Sequence, residues 1–329
     1  MNSVSVAYNH AACCADTAAK RTSALCTKIC AKIAAIACKI FNAIFPLNPV
    51  TKSRQFRVIP TKLEKAYGES FYNSLCPQSR VDNDLTDDYK PIFDKLVEAC
   101  DRKDLDYEFR VLDSNVVNAF CLPGGKIVIT RGLIDKLKED NVNIDGFNVD
   151  DVDLEDKIAA VLGHEITHAS AGHSAMKIQT AILLWLTGRV LSFSLGIFVR
   201  SKVIQNEQNS KKGKERINQA SLNRKANTAA TISTSIFDVF WNLGNYFAQN
   251  KYGHSHEFQS DRIGMKYAAR AGYNPAGAVY VQQMFVDNFG KGNKALALFS
   301  THPPSQERVN QCINAYKKIS LWGLETVNC

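Results

Sequence analysis

Paired cysteines are missing from this 329-residue chain, although it contains ten cysteines. Five of them lie within the first 38 residues, the other five are scattered singly, and no two are spaced as CxxC. Zinc ribbons need such pairs, so a cysteine-based zinc site is not expected. Dense disulfide frameworks are typical of much shorter secreted chains. The sequence therefore predicts buried or free thiols for the five scattered cysteines, in a chain long enough to fold around a sizeable core.

Acidic residues are almost missing from two segments. Residues 1–57 carry eight lysines and arginines against one acid, and residues 200–225 carry eight against two. Their net charges are +7 and +6, which leaves the remainder at −5 because the whole chain carries +8. Both segments adjoin apolar stretches, which favours an anionic membrane surface over a nucleic-acid groove. Simple solvation of the two segments is the alternative, and no nucleic-acid partner is expected.

Residues 1–47 are predicted to be a basic, amphipathic segment for targeting or membrane association that lies outside the folded domain. On a helix, its aliphatic residues fall mostly on one side: Leu25, Ile29, Ile33, Ile36, Ile40 and Ile44. A short apolar run after a basic region resembles a signal peptide, but Lys28 and Lys32 interrupt the run. The folded domain is predicted to occupy residues 48–329.

The hydrophobic periodicity of this domain predicts both helices and strands. Residues 60–75 and 86–100 are predicted helices, each with a threonine at its start that can cap it. The stretch YEFRVLDS alternates like a strand, and residues 116–137 predict a strand, a Pro-Gly-Gly turn, a second strand and a helix. Another helix is predicted at about residues 154–176, and no internal repeat is visible.

The hydrophobic segment 178–199 is long enough to cross a bilayer at about 1.5 Å per residue. Arg189 at its middle opposes this, since such a residue costs about 2.5–3.5 kcal/mol on insertion scales. Three interpretations therefore stay open: a spanning helix, a helix lying in the interface or a membrane-facing groove, and a helix buried in the core. The basic polar insertion 200–225 follows directly.

The stretch GHEITHASAGHSA holds three histidines within ten residues. On the predicted helix, His164 and His168 lie one turn apart and about 40° from each other around the axis. Glu165 is close enough to reach a metal-bound water without becoming a ligand. The spacing is that of an HExxH zinc site, in which two imidazoles hold the ion and the glutamate acts as general base.

His173 does not fit the same metal. The HExxHxxGxxH pattern of metzincin proteases would need glycine at position 171 and histidine at position 174, where this chain has Ala171 and Ser174. If the helix simply continues, His173 points about 140° away from His168. It is therefore interpreted as a residue that supports a ligand or lies on the surface.

A third ligand is expected downstream, where Glu257 and Asp261 lie one helical turn apart in HSHEFQSDRIGMKYAARAGYNP. Glu257 can complete a His–His–Glu site with an open fourth position, and Asp261 can accept a hydrogen bond from a ligand imidazole. A solvated helix face is the alternative interpretation of such a pair.

Four stretches, in order, resemble the signature blocks of the HtpX/Ste/Oma-like zinc metallopeptidases, peptidase family M forty-eight: NAFCLPGGKIVITRGLI, AAVLGHEITHASAGHS, EFQSDRIGMKYAARAGYNP and FSTHPPSQERV. Residues 48–71 are similar to the entry segment of the Oma-like bacterial and mitochondrial branch, so the likeness covers roughly residues 48–315. It implies an α+β, predominantly helical, gluzincin-type domain with a small antiparallel sheet, and one Zn²⁺ per chain.

The resemblance also implies roles for individual residues. His164, His168 and Glu257 match the family's zinc ligands. Glu165 matches its catalytic base, and Asp261 matches the residue that supports a ligand histidine.

Two further residues match the family less directly. His302 is similar to a histidine that lies over the metal, either as a latch ligand in a resting state or as a catalytic group that stabilises the oxyanion. Capping of the next helix is its alternative role. Asn118 resembles a residue near the substrate backbone.

The chain departs from the family in the long gap between His168 and Glu257, and in having His254 where many members have arginine.

The expected function is a zinc-dependent, membrane-associated endopeptidase that cleaves misfolded or membrane-associated proteins in protein quality control. Substrate is expected to pair with residues 126–130, KIVIT, at an edge of the sheet. The alternatives are a catalytically weak zinc scaffold with a chaperone-like role and a structural membrane protein. The bacterial cell envelope (periplasm) is the favoured location, with the mitochondrial inner membrane as the alternative.

Overall fold

The computed structural model describes residues 32–33, 35–139, 142–210, 218–289 and 302–322. These residues belong to two compact units, one formed by residues up to 48 together with 52–58, the other by residues 49–51 together with 59 onward. In the first unit, helix α1 (Ala35–Ile44) is apolar, and its isoleucines are exposed. A bridge between Leu47 and Arg54 follows. The part of the predicted amphipathic segment before residue 32 lies outside the described residues.

The second unit contains the helices and strands that carry the candidate site. Its longer helices within the described residues are α2 (Thr61–Leu75), α3 (Asn83–Ala99), α4 (Arg131–Glu139), α5 (Leu154–Ser170), α6 (His173–Ser210), α7 (Gln219–Arg270), α8 (Ala276–Phe289) and α9 (Gln306–Trp322). Its strands are β1 (Glu108–Leu112), β2 (Ala119–Leu122) and β3 (Lys126–Thr130). The predominantly helical α+β fold expected from the sequence is confirmed.

The three strands form a small mixed sheet in the order β1-β3-β2. Strand β2 pairs with β3 antiparallel across the Pro-Gly-Gly turn, but β1 pairs with β3 in parallel. The prediction of an antiparallel sheet was therefore wrong for one of its two pairings, because residues 113–118 carry the chain past the end of β3 to its far side. Since β3 is the central strand and is wholly buried, the prediction that residues 126–130 offer a free edge was also wrong.

Helix α5 carries the HExxH motif and has well-defined ends. Asp153 starts it with a capping box, in which its side chain accepts a hydrogen bond from the Asp156 backbone and the Asp156 side chain accepts one from the Asp153 backbone. Gly172 ends it with a φ of 72°, a left-handed conformation that glycine adopts without strain. The predicted continuous helix to residue 176 is thus interrupted, and α6 begins in a new direction at His173.

The predicted threonine caps were wrong for α2 and α3. Pro60 precedes α2 without a side-chain hydrogen bond, and Asp82 caps α3 by accepting a hydrogen bond from the Leu85 backbone. Thr86 lies one turn inside α3, where its hydroxyl donates to the Asp82 carbonyl oxygen instead. An aspartate cap is physically equivalent to a threonine cap, so the helix was correctly expected although its capping residue was not.

The hydrophobic segment 178–199 lies inside α6 and is largely exposed. An 18-residue window of α6 has a mean hydropathy of 1.9, and 11% of that window is buried. Trp185 and Phe193 are 64% and 72% exposed. By length and composition α6 could cross a membrane. Of the three interpretations of this segment, burial in the core does not agree with its exposure.

Helices α5 and α7 cross at a pair of glycines. A Cβ atom on Gly163 would lie 2.8 Å from the carbonyl oxygen of Gly264, and one on Gly264 would lie 2.8 Å from the backbone nitrogen of His164. Real Cβ atoms do not approach backbone atoms so closely, so neither position accommodates a side chain without a shift of one helix. The two glycines therefore set how near α7 comes to the HExxH motif.

We expect Gly264→Ala to destabilise the protein, because overpacking of a close backbone contact typically costs about 1–3 kcal/mol. For a domain of this size that cost lowers the thermal unfolding midpoint by roughly 2–12 °C. Gly253→Ala is the matched control, since it lies on the same helix and a Cβ there meets nothing within 4 Å. Circular dichroism melting of both variants checks this, and an unchanged midpoint for Gly264→Ala would contradict the close crossing.

Candidate metal centre

His164 and His168 project from α5 toward the same point. Their Nε2 atoms lie 3.0 Å apart, and both side chains are buried. The single helical turn between them accounts for this, as the HExxH spacing requires. Glu165, which directly follows His164, is also buried, and its Oε2 atom has no hydrogen-bond partner among the described residues.

Glu257 reaches the two imidazoles from α7. Its Oε2 atom lies 3.3 Å from His164 Nε2, and its Oε1 atom lies 3.4 Å from His168 Nε2. The side chain is buried, so the alternative of a solvated helix face does not hold for Glu257. The structure thus brings Glu257 next to His168, which lies 89 positions earlier in the sequence.

His302 completes a group of four potential ligands. Its Nδ1 atom lies 3.3 Å from His164 Nε2 and 2.8 Å from Glu257 Oε2. The four ligand atoms of His164, His168, Glu257 and His302 all lie within 4.8 Å of one another. His302 is buried beside the cluster, and Ser305 rather than His302 accepts a hydrogen bond from the backbone of α9, at Arg308.

The spacing of the cluster suits one metal ion, because its four ligand atoms lie within 4.8 Å of one another. Bonds of about 2.0–2.1 Å give tetrahedron edges of about 3.3–3.4 Å. The distances between neighbouring ligand atoms given above run from 2.8 to 3.4 Å. Glu257 Oε1 is buried without a hydrogen bond among the described residues, as expected for an oxygen that a cation would satisfy. Imidazole nitrogens with one carboxylate oxygen are ligands that zinc accepts.

Asp261 holds His164 in place. Its Oδ1 atom lies 2.8 Å from His164 Nδ1, on the side of the ring away from the cluster. Arg308 from α9 clamps the same carboxylate with two hydrogen bonds of 2.7 Å, and Gln282 donates a third hydrogen bond of 3.0 Å. This bidentate pair fixes the direction of the Asp261 side chain and therefore the orientation of the His164 ring.

Burial and neighbouring charges shift the pKa values of the cluster in different directions. Burial would lower the pKa of His164, but Asp261 and Glu257 outweigh it and raise that pKa to about 10. Burial alone would raise the pKa of Glu257, but His302 and His168 outweigh it and hold that pKa well below its usual value. Burial is likewise outweighed at Asp261, where Arg308 lowers the pKa. Both carboxylates are therefore ionised at neutral pH. Burial lowers the pKa of His168 to about 4, which keeps this imidazole neutral, as a metal ligand must be.

One residue of the site, Arg308, was not assigned a role from the sequence, and the orientation of a second, His173, was not predicted. Arg308 lies in a stretch used for the resemblance, and a signal existed, because Arg308, Cys312 and Ala315 share one buried face of α9 at helical spacing. An arginine on such a face needs a buried carboxylate. His173 is not among the four residues whose ligand atoms come together, and the break at Gly172 turns it toward His168 rather than away, where it is buried.

Asn118 immediately precedes the edge strand β2. Its backbone exchanges hydrogen bonds with Thr130, the nitrogen donating to Thr130 Oγ1 and the oxygen accepting from the Thr130 nitrogen, both at 3.0 Å. The side-chain Oδ1 atom is buried without a hydrogen-bond partner among the described residues. The next residue, Ala119, lines a cavity that also contacts His164 and Glu165. The remaining walls of this cavity are mostly apolar: Leu133, Ala160, Val161, Ala278, Val281 and Phe285.

Comparison with known proteins agrees with this geometry. The sequence profile described as Peptidase family M48 matches residues 84–315. The chain belongs to peptidase family M48. This M48 chain is 24% identical over 270 residues to the mitochondrial metalloendopeptidase OMA1 of Schizosaccharomyces pombe, covering 80% of this chain and 64% of that protein.

In two further relatives the match covers a smaller share of the relative's own length. The Arabidopsis thaliana mitochondrial metalloendopeptidase OMA1 is 28% identical over 206 residues, covering 62% of this M48 chain and 30% of that protein. The human metalloendopeptidase OMA1, mitochondrial, is 25% identical over 263 residues, covering 78% of this M48 chain and 41% of that protein. The match thus spans less than two thirds of each of these three relatives. The names of these relatives support a metallopeptidase. All three are named mitochondrial, and none supports the bacterial envelope that the sequence had favoured.

Proposed function

We propose that this protein is a zinc-dependent, membrane-associated endopeptidase that cleaves misfolded or membrane-associated proteins. The observation that carries the proposal is the buried cluster of His164, His168, Glu257 and His302 beside an unpaired Glu165 oxygen. One zinc ion per chain fits the donor set and the spacing. A zinc ion bound there supplies a Lewis acid, which lowers the pKa of a water molecule to about 7 and polarises a peptide carbonyl.

The chain's own groups supply the remaining chemistry. Glu165 is placed to take a proton from the attacking water at its unpaired Oε2 atom and to pass it to the leaving amine. Asp261 and Arg308 keep the His164 ring oriented during this step. The apolar walls near Ala119 exclude bulk water from the cavity beside Glu165.

Substrate would bind along β2 rather than along β3. Strand β2 is an edge of the sheet, so its backbone groups that point away from β3 can pair with an extended peptide, apart from the Cys121 carbonyl oxygen, which accepts a hydrogen bond from Ser174. Asn118 at the start of this strand has a buried side-chain oxygen that can accept a hydrogen bond from a substrate backbone amide. Main-chain pairing of this kind favours extended or unfolded clients, and it does not depend on particular side chains of the substrate.

Replacement of Glu165 by glutamine should lower the rate of peptide cleavage by about 10²–10⁴-fold, because the general base is lost while the ligands remain. Cleavage of a fluorescently labelled unfolded protein measures the rate, and elemental analysis measures bound zinc. Glu155→Gln is the matched control, since Glu155 is an exposed glutamate of the same helix. Normal cleavage by Glu165→Gln would contradict the assignment of the base.

His302 is proposed to act as a latch in the resting protein. Its Nδ1 atom fills the fourth vertex of the cluster, which catalytic sites keep open for water or substrate. This occupied vertex is also the observation that favours the alternative function, a zinc scaffold that binds clients without cleaving them. In both cases, His302 would hold the site closed until it moves.

The variant His302→Ala separates the proposed roles of this residue. A latch predicts a higher kcat, because the fourth position opens, whereas an oxyanion-stabilising group predicts a kcat lower by about 10²–10³-fold. A scaffold without turnover predicts no cleavage by either protein. Steady-state kinetics on a labelled unfolded substrate, with zinc content as the control, distinguishes these results, and a lower kcat would contradict the latch.

Membrane association is proposed to occur through α6. This helix exposes aromatic and aliphatic residues between Ile182 and Phe198, and the basic segment 200–225 begins in its C-terminal part. Apolar contact combined with attraction to anionic lipid headgroups suits the surface or the interior of a bilayer. Since three relatives are named mitochondrial, the mitochondrial inner membrane is the proposed location.

Replacing both Trp185 and Phe193 by serine should reduce the fraction of protein that floats with anionic liposomes, because it removes large exposed apolar side chains from α6. The matched control replaces Val116 and Leu321 by serine, two exposed apolar residues outside α6 and α7. Density-gradient flotation checks the prediction. Equal flotation of the α6 variant and the control would contradict a lipid-contacting role for α6.

A further inference from the structure

His173 contacts both the candidate metal ligand His168 and a residue of α7. Its Nδ1 atom lies 3.0 Å from His168 Nδ1, and its Nε2 atom lies 2.8 Å from Gln259 Oε1. The side chain is 1% exposed, so bulk water does not supply either of these hydrogen bonds. The chain Gln259–His173–His168 thus connects the α7 backbone to the cluster through three side chains.

The direction of each hydrogen bond follows from the chemistry of the atoms. Gln259 Oε1 is a carbonyl oxygen that can only accept, so His173 Nε2 carries a proton and donates it. A neutral imidazole has one N–H group, which leaves His173 Nδ1 as an acceptor. His168 Nδ1 must then donate to it. The Nε2 atom of His168 is left with a free lone pair that faces His164 and Glu257.

We propose that Gln259 and His173 are positioning residues that fix the tautomer and the ring orientation of His168 so that its Nε2 atom binds the metal. The inference rests on the proposed metal site and assigns a further role within it. A metal-ligating histidine normally donates its second N–H group to a carboxylate, a backbone carbonyl or water. Here a neutral histidine takes that place.

The ring of His173 is held on more than one side. His256 stacks on it with ring centroids 4.1 Å apart and an angle of 11° between the planes. Ser260 Oγ lies 3.4 Å from its Nδ1 atom, farther away than His168. His256 and Gln259 both lie within two residues of Glu257 on α7. The same stretch of α7 therefore supplies one ligand and orients another.

The two histidine ligands are consequently held by different acceptors. His164 faces the ionised carboxylate of Asp261, whereas His168 faces a neutral imidazole. A carboxylate raises the basicity of its histidine more than a neutral acceptor does. The orientation of the His168 ring therefore depends on the geometry of its hydrogen bond to His173, whereas a charged carboxylate faces the ring of His164.

Zinc affinity of the full-length protein in detergent tests this proposal, measured by competition with a chromophoric chelator. His173→Phe keeps a ring of similar size but has no acceptor, and Gln259→Leu removes the group that fixes the His173 tautomer. Each should weaken zinc binding by about 10–100-fold, the usual effect of losing such a partner. His173→Asn and Gln259→Glu each retain an acceptor oxygen, so we expect zinc affinity within about 3-fold of the wild type for both.

Thermal melting of the metal-free proteins separates positioning from packing. His254→Ala is the matched control, because His254 is an exposed histidine on the same helix. Weak zinc binding by His173→Phe and Gln259→Leu, with metal-free midpoints near that of the control, would support the proposal. Wild-type affinity in either of these two variants would overturn it, as would an equal loss of affinity in His173→Phe and His173→Asn.

The wild-type measurement separates this inference from the proposed function. If the wild-type protein binds no zinc, the proposed metal site is wrong, and so is the positioning role of His173 and Gln259. If the wild type binds one zinc per chain and the Phe and Leu variants bind it equally well, only the positioning role of His173 and Gln259 is wrong.

Discussion

The crossing of α5 and α7 at Gly163 and Gly264 is the constraint on which the candidate centre depends. His164 directly follows Gly163, and its backbone nitrogen contacts the Gly264 position of α7. On α7, Asp261 and Glu257 precede Gly264 by three and seven residues, which places them one and two turns away on the same face. Because no side chain separates the helices at the crossing, both carboxylates reach the imidazoles of α5. A wider crossing would separate the two halves of the site.

Burial of so many ionisable groups needs compensation, and the two carboxylates that α7 contributes to the site have partners of opposite or complementary character. Asp261 is paired with Arg308 by two short hydrogen bonds. Breaking such a buried pair by removing one partner typically costs about 3–5 kcal/mol, since the other charge is left alone. Glu257 is balanced by imidazoles and by Arg308 Nη1 at 3.3 Å. A divalent cation in the cluster would add positive charge next to the Glu257 carboxylate.

The sequence predicted the parts of the site that depend on local spacing. His164, Glu165 and His168 follow from the helical period, and Glu257 with Asp261 follows from the same period on α7 together with the resemblance to a family. Strand order was not predictable in this way, because the pairing of β1 with β3 depends on how residues 113–118 cross the sheet. The orientation of His173 depends on a single left-handed residue, Gly172, and reverses if the helix is assumed to continue. Local spacing therefore predicts ligands better than it predicts the residues that orient them.

The central claim is that His164, His168 and Glu257 together bind one zinc ion. Anomalous X-ray diffraction at the zinc absorption edge, from crystals of the zinc-loaded full chain, tests it most directly. We predict a single peak per chain, about 2.0–2.2 Å from Nε2 of both histidines and from a carboxylate oxygen of Glu257. A zinc peak held by other residues, or no peak within bonding distance of these three side chains, would contradict the account.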